Sequence, residues 1–120
     1  MIQITAHMQI VAAVEPVDFR KGIDGLAAVC RKQLHDDPFS GTVFVFVNRA
    51  KTALRLLIYD GQGFWLCHKR LSRGRFIWNF HGKMRQLAAQ QLQVLLWNSD
   101  PGSVVTDDFH PIAKTFWPSS

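Results

Sequence analysis

The fold is decided by the stretch Thr-Val-Phe-Val-Phe-Val-Asn at residues 42–48. Its unbroken run of β-branched and aromatic residues predicts a central β-strand. Residues 49–52 form a short connection to a second predicted strand, Ala53–Tyr59. The next four residues, Asp-Gly-Gln-Gly at 60–63, predict a hairpin turn, because glycine accepts a positive φ. A third predicted strand, Phe64–Arg70, follows this turn.

The flanking segments extend the sheet and add two helices. Residues 9–15 predict a strand that Pro16 ends, and residues 76–80 are a candidate fourth strand of the meander. Residues 86–97 predict a C-terminal helix, from Leu92, Leu95 and Leu96. An apolar stripe at helical spacing predicts an N-terminal helix: Ile23, Leu26, Ala27, Cys30 and Leu34.

These elements predict an α+β fold. We expect an antiparallel meander of about four strands, because the short loops are too short for parallel crossovers. One N-terminal helix packs on that sheet, and a C-terminal helix follows it. Asp18 and Asp24 are candidate caps for the start of the first helix.

Length and composition indicate a single domain over residues 1–120, with a core at about 8–98 and a tail at 99–120. The chain has 120 residues, of which 48% are hydrophobic, and no apolar run approaches the 18 residues of a membrane span. The N-terminus lacks the basic and apolar regions of a secretion signal, so we expect a cytoplasmic protein. Its two cysteines, Cys30 and Cys67, are then reduced and buried. The sequence leaves open whether the tail packs as irregular chain or docks on a partner.

Positive charge is concentrated in the middle of the chain. The net charge is +5, yet residues 49–85 hold nine basic residues and one acid, Asp60. Such a window attracts phosphate backbones, and it equally suits an anionic membrane or an acidic protein. A solvated face without a partner is the remaining alternative.

The candidate nucleic-acid-binding residues lie in this basic window. A basic loop at 69–75 adjoins Phe76 and Trp78, and such loops hold phosphates while their aromatic rings stack on bases. For the two aromatic residues we favour burial in the core, since aromatic side chains supply much of the buried area of a small domain. The predicted phosphate-facing set is Arg49, Lys51, Arg55, Lys69, Arg70, Arg73 and Arg75.

A second candidate is the loop before the first helix, with Asp18, Arg20, Lys21 and Gly22. Glycines near a helix start let backbone N–H groups approach an anion. The loop lacks the spacing of a Walker motif, and a structural turn is favoured, in which Asp18 caps the helix or pairs with Arg20.

Templates for catalysis and metal binding are absent from the sequence. Most of the acids lie in predicted turns or caps, and the five histidines show neither an HExxH motif nor a spacing with cysteine that suits a metal. There is no GxSxG nucleophile motif. We therefore expect a non-catalytic protein without a metal or another cofactor, and we expect His68 to be a structural residue.

Four ordered blocks carry a family resemblance. They are Pro-Val-Asp-Phe-Arg-Lys-Gly-Ile-Asp-Gly-Leu at 16–26, Asp-Pro-Phe-Ser-Gly at 37–41 with the strand after it, residues 56–66 around the Asp-Gly-Gln-Gly turn, and Lys-Arg-Leu at 69–71 with Gly-Arg-Phe at 74–76 and Trp78. In order and spacing the chain resembles the TnpB-type accessory protein, the second open reading frame product, of bacterial insertion sequences of the family numbered sixty-six. The resemblance covers about residues 8–98.

The resemblance implies a non-catalytic accessory factor in DNA transposition that works beside a separate transposase. DNA is the expected partner, as element ends or as non-specific duplex. The alternative is a protein-interaction module that docks on the transposase through the apolar tail without binding nucleic acid. A metal-dependent nuclease ranks last. The sequence does not give the oligomeric state, and no membrane partner is expected.

Overall fold

A computed structural model of the protein describes residues 4–5 and 7–97. Five strands and two helices form in this part of the chain, with four of the strands in succession between the helices, and the predicted α+β class is confirmed. The elements in chain order are β1 (Ile10–Ala13), α1 (Ile23–Lys32), β2 (Val43–Val47), β3 (Ala53–Tyr59), β4 (Phe64–Arg70), β5 (Met84–Leu87) and α2 (Ala89–Leu96).

The strands form one mixed sheet in the order β4-β3-β2-β1-β5. β2, β3 and β4 are antiparallel neighbours, as predicted from their short connections. β1, however, runs parallel to β2, because α1 returns the chain to the same end of the sheet at which β1 began. β5 then pairs antiparallel with β1. The prediction of an antiparallel meander of about four strands is therefore wrong for the sheet as a whole.

The predicted strand at residues 76–80 is also wrong. This segment has no regular secondary structure, and its aromatic side chains pack against the core instead. Phe76 is buried, and the indole Nε1 of Trp78 donates a hydrogen bond of 2.8 Å to Val14 O. The fifth strand forms at Met84–Leu87, where three of the four residues are exposed and no alternation of apolar and polar residues predicts a strand.

Each face of the sheet is covered by one helix. Phe44, Phe46 and Leu57 form a core with Leu26 and other residues of α1. On the opposite face, Val43, Val45 and Val47 form a core with residues of α2, among them Leu92 and Leu95. All five residues of β2 are therefore buried, which explains its uninterrupted apolar sequence. The helix layout differs from the prediction, which placed only the N-terminal helix on the sheet.

The two cysteines are free thiols with unequal burial. Cys30 in α1 is fully buried, as expected, whereas Cys67 in β4 is only half-buried. Desolvation raises the pKa of both thiols to about 12. Neither described helix is long and apolar enough to cross a membrane.

Candidate nucleic-acid interface

Three loops meet at one end of the sheet. The segment after β1 is held there by Val17 N–H, which donates to Val47 O at 2.9 Å. The segment after β4 packs on the β2–β3 loop through Leu71 N–H to Thr52 O at 2.9 Å and Phe76 N–H to Lys51 O at 2.7 Å. We call this region the basic end and define it by Arg20, Lys21, Arg49, Lys51, Arg70, Arg73 and Arg75.

The β2–β3 loop presents Arg49 and Lys51 in a fixed conformation. Asn48 Oδ1 accepts hydrogen bonds from the backbone N–H groups of Thr52 and Ala53, at 2.9 and 3.1 Å. Lys51 has a φ of 61°, a left-handed conformation that closes the turn. Arg49 is exposed at the tip.

Arg70, Arg73 and Arg75 are exposed on the neighbouring loop. Arg70 ends β4 opposite Ala53, so it lies beside the start of β3 and the β2–β3 loop. Gly74 supplies the positive φ of 73° that turns the chain between Arg73 and Arg75. Within residues 7–97, these three arginines form no side-chain hydrogen bond or salt bridge, so their guanidinium groups face solvent.

Arg55 is held by the protein itself. Its Nη1 donates to Phe19 O at 2.7 Å and to Lys21 O at 3.4 Å, and its Nε donates to His68 Nδ1 at 3.1 Å. Its guanidinium carbon also lies 4.6 Å from the centre of the Phe19 ring, a cation–π contact. Arg55 thus fixes the loop before α1 to the centre of β3.

Lys69 lies on the opposite face of the sheet from Arg55. Its Nζ donates to Leu96 O at the end of α2, where the last carbonyls of a helix lack partners within the helix. Of the seven predicted residues, the structure therefore brings Arg49, Lys51, Arg70, Arg73 and Arg75 together at the basic end. It turns the side chains of Arg55 and Lys69 to opposite faces, towards protein carbonyls.

His68 is part of the Arg55 cluster. Its ring accepts from Arg55 at Nδ1 and lies edge-on to Phe19, with ring centres 6.0 Å apart. Desolvation, followed by the charges of Arg55 and Arg70, lowers the pKa of His68 below its usual value. The neutral ring suits this hydrogen bond, and the contacts of His68 agree with the expected structural role.

In the loop before α1, Asp18 pairs with Arg20 and does not cap the helix. Arg20 Nη2 and Nε donate to Asp18 Oδ2 at 2.7 and 3.0 Å, and the Arg20 backbone N–H donates to Asp18 Oδ1 at 2.9 Å. The side-chain hydrogen bond from Arg20 lowers the pKa of Asp18 to about 2. Gly22 is the N-cap of α1, without any side-chain cap. The predicted cap by Asp18 or Asp24 is wrong, because Asp18 is used inside the loop and Asp24 lies within the first turn of the helix. The alternative, in which Asp18 pairs with Arg20, is confirmed.

The two glycines of this loop differ in what surrounds them. A Cβ added to Gly22 would meet no heavy atom within 4 Å. A Cβ on Gly25 would lie 2.6 Å from Lys21 Cβ, closer than carbon atoms approach. Gly25 therefore lets Lys21 pack against the first turn of α1, and the helix directs its positive dipole end towards the basic end.

Lys83 was missing from the predicted set. Its carbonyl accepts from Val14 N–H at 3.0 Å, which places the start of β5 beside the end of β1. The pairing of β1 with β5 brings Lys83 to the basic end, and no pattern in the neighbouring sequence predicts that pairing. The nearby acids are Glu15, Asp18 and Asp24, against eight basic residues when Lys83 is included, so positive charge dominates this end.

The described residues contain no group of three or more His, Cys, Asp or Glu side chains arranged to hold a metal ion. The tail at 99–120, for which docking on a transposase is the alternative hypothesis, lies outside the described residues.

Comparison with known proteins assigns the family. The model of the family described as IS66 Orf2 like protein matches residues 8–104. The chain belongs to the IS66 Orf2-like family. The resemblance stated from the four sequence blocks is thereby confirmed.

Two relatives of this IS66 Orf2-like protein come from Sinorhizobium fredii. The chain is 40% identical to uncharacterized protein y4jC over 77 residues, which cover 64% of the chain and 66% of that protein. It is 34% identical to uncharacterized protein y4hO over 101 residues, covering 83% of the chain and 88% of that protein. No solved structure matches it significantly. An IS66 Orf2-like protein is thus an accessory protein of an insertion sequence, and the family match carries no catalytic assignment.

Proposed function

We propose that this protein is a non-catalytic accessory factor in transposition that binds duplex DNA through the basic end. The observation that carries the proposal is the convergence of Arg49, Lys51, Arg70, Arg73 and Arg75 on adjoining loops. Membership of an insertion-sequence family makes DNA the relevant polyanion.

The chemistry of the basic end suits phosphate contact rather than base readout. Exposed arginines on short, hydrogen-bonded loops present several N–H donors at a fixed spacing, as phosphate oxygens require. The basic residues of this end lie on loops and at the last position of β4, rather than along a helix that could enter the major groove. We therefore expect binding that depends on salt and depends little on sequence.

The test is fluorescence anisotropy with labelled duplexes, one carrying a terminal repeat of the element and one scrambled, across a salt series. Contacts to four phosphates give a slope of log K against log salt of about −3.6. Replacing Arg73 and Arg75 with alanine weakens binding to both duplexes equally. It also reduces the magnitude of the slope by about 1.8, the contribution of two phosphate contacts.

The matched control is the double variant Arg31→Ala with Lys32→Ala. It removes the same charge from exposed positions in the last turn of α1, outside the loops that carry Arg49, Arg73 and Arg75. We expect binding close to that of the wild type. Equal losses in the two double variants would show that only net charge matters, and no binding at low salt would refute the proposal.

A further inference from the structure

β4 is an open edge of the sheet within residues 7–97. It stands last in the strand order, and every one of its seven residues is half-buried or exposed. The other edge strand, β5, has four residues. Proteins usually shorten or block their edge strands, because a long edge offers unpaired N–H and C=O groups to another strand.

The pairing of β4 with β3 shows which backbone groups point outwards. Leu71 N–H bonds Thr52 O, and Asp60 N–H bonds Gly63 O, so the odd-numbered residues of β4 face β3. The even-numbered residues therefore direct their N–H and C=O groups away from the sheet. They are Phe64, Leu66, His68 and Arg70.

We propose that β4 pairs antiparallel with β4 of a second copy of this chain, with Cys67 at the two-fold axis. Cys67 is the central residue of Phe64–Arg70, so this register uses the whole strand on both sides. It joins even-numbered residues to even-numbered residues: Phe64 to Arg70 of the second copy, and Leu66 to His68 of the second copy. All of the outward N–H and C=O groups then find partners.

The side chains favour this register and orientation. The first half of β4 is apolar, with Phe64, Trp65 and Leu66, whereas the second half carries Lys69 and Arg70. An antiparallel pair places each Arg70 beside an aromatic ring, a favourable cation–π arrangement. A parallel in-register pair would place like charges side by side. The occupant that fits this edge is therefore the same strand running in the opposite direction.

This inference does not depend on DNA binding, although Arg70 belongs both to the basic end and to the β4 edge, so the protein is tested without DNA. Its first test measures amide hydrogen exchange by NMR, together with the mass of the particle by sedimentation. The amides of Trp65 and Cys67 are internal controls, because they bond to β3 in any case. We expect the amides of Leu66 and His68 to be protected in a particle with the mass of a dimer.

Two results overturn the inference. Rapid exchange at Leu66 and His68 would show an unpaired edge. Protection of these amides in a particle with the mass of a monomer would show that another segment of the same chain covers β4.

Two variants with opposite charges at residue 64 test the register. In Phe64→Arg the new side chain faces Arg70 of the second copy, whereas in Phe64→Glu a carboxylate faces it. Both variants lose the same ring contacts with Phe39 and Tyr59, so stability changes cancel in the comparison. We expect the glutamate variant to dimerise about tenfold more tightly than the arginine variant.

The control pair is Gln86→Arg and Gln86→Glu on β5, which changes the net charge in the same way at the other edge of the sheet. These two variants should dimerise alike. If the Phe64 variants also dimerise alike, or differ no more than the Gln86 pair, the proposed register is wrong.

Discussion

At the scale of single residues, Arg55 links the sheet to the loop before α1, which holds the first of the four family blocks. It bonds two carbonyls of that loop and one ring nitrogen of His68, so its charge is used inside the protein. From sequence alone, Arg55 looks the same as its neighbours in the basic window. What separates it from Arg73 is the register of β3, which points Arg55 at the α1 face.

The pKa of His68 is sensitive to the contacts that this residue makes with Arg55. Desolvation and the nearby arginines hold the pKa of His68 below 6.5, so the unfolded chain binds a proton more readily than the folded one. The stability that this residue contributes is therefore present above about pH 6.5 and is lost as the pH falls through the lower folded value. In Arg55→Met, NMR titration should show the pKa of His68 rising towards 6.5.

Arg31→Met is the control for this titration, since Arg31 lies in the last turn of α1 and its charge does not act on the pKa of His68. It should leave the pKa of His68 unchanged. An unchanged value in Arg55→Met as well would mean that desolvation and the charge of Arg70 set the pKa without Arg55.

At the scale of elements, α2 depends on a side chain from the sheet beneath it. The helix has eight residues and no basic residue in its last turn. Lys69 of β4 supplies the missing cation by donating to Leu96 O. At the other end, Gln91 Oε1 accepts from Ala88 N–H at 2.8 Å. Both ends of α2 are thus stabilised by amino-acid side chains rather than by helix propensity.

Replacing Lys69 with methionine keeps the apolar stem and removes the donor. Urea unfolding should show a loss of about 1 kcal/mol, less than the roughly 1.5–3 kcal/mol typical of a charged donor because Lys69 is exposed to solvent. Arg73→Met, in the exposed loop, should change stability by less than about 0.5 kcal/mol. Equal effects would argue against a role for Lys69 at the end of α2.

At the scale of the whole molecule, the sheet separates two cores, and β2 contributes to both. Phe44 is fully buried on the α1 face, whereas Phe39, before the strand, is 53% exposed. The burial of every β2 residue makes this strand the centre of the stability of the described fold.

Phe44→Ala should therefore lower the free energy of unfolding by about 3–5 kcal/mol, measured by urea titration, because it removes a large side chain and leaves a cavity. Phe39→Ala loses ring contacts with Tyr59 and Phe64 but leaves no enclosed void. It should cost about 1 kcal/mol. Similar losses in the two variants would contradict the central place of β2.

Features that are encoded by neighbouring residues were predictable from the sequence, whereas features that depend on distant segments were not. β3 and β4 were predicted to the residue, and the turn between them was confirmed, because their signals are local. The parallel pairing of β1 with β2 and the strand β5 depend on contacts between distant segments, and β5 is too polar to show alternation. The basic residues were identifiable by type, whereas their side-chain directions required the registers of β3 and β4.

The position of β1 between β2 and β5 has a consequence for biosynthesis. β2, β3 and β4 are joined by short turns and can pair as soon as they leave the ribosome, since closing a short loop costs little entropy. β1 emerges first, yet its outer neighbour begins only at Met84. A nascent chain that stops before that residue holds an incomplete sheet, so truncated products expose a strand that the finished protein keeps inside.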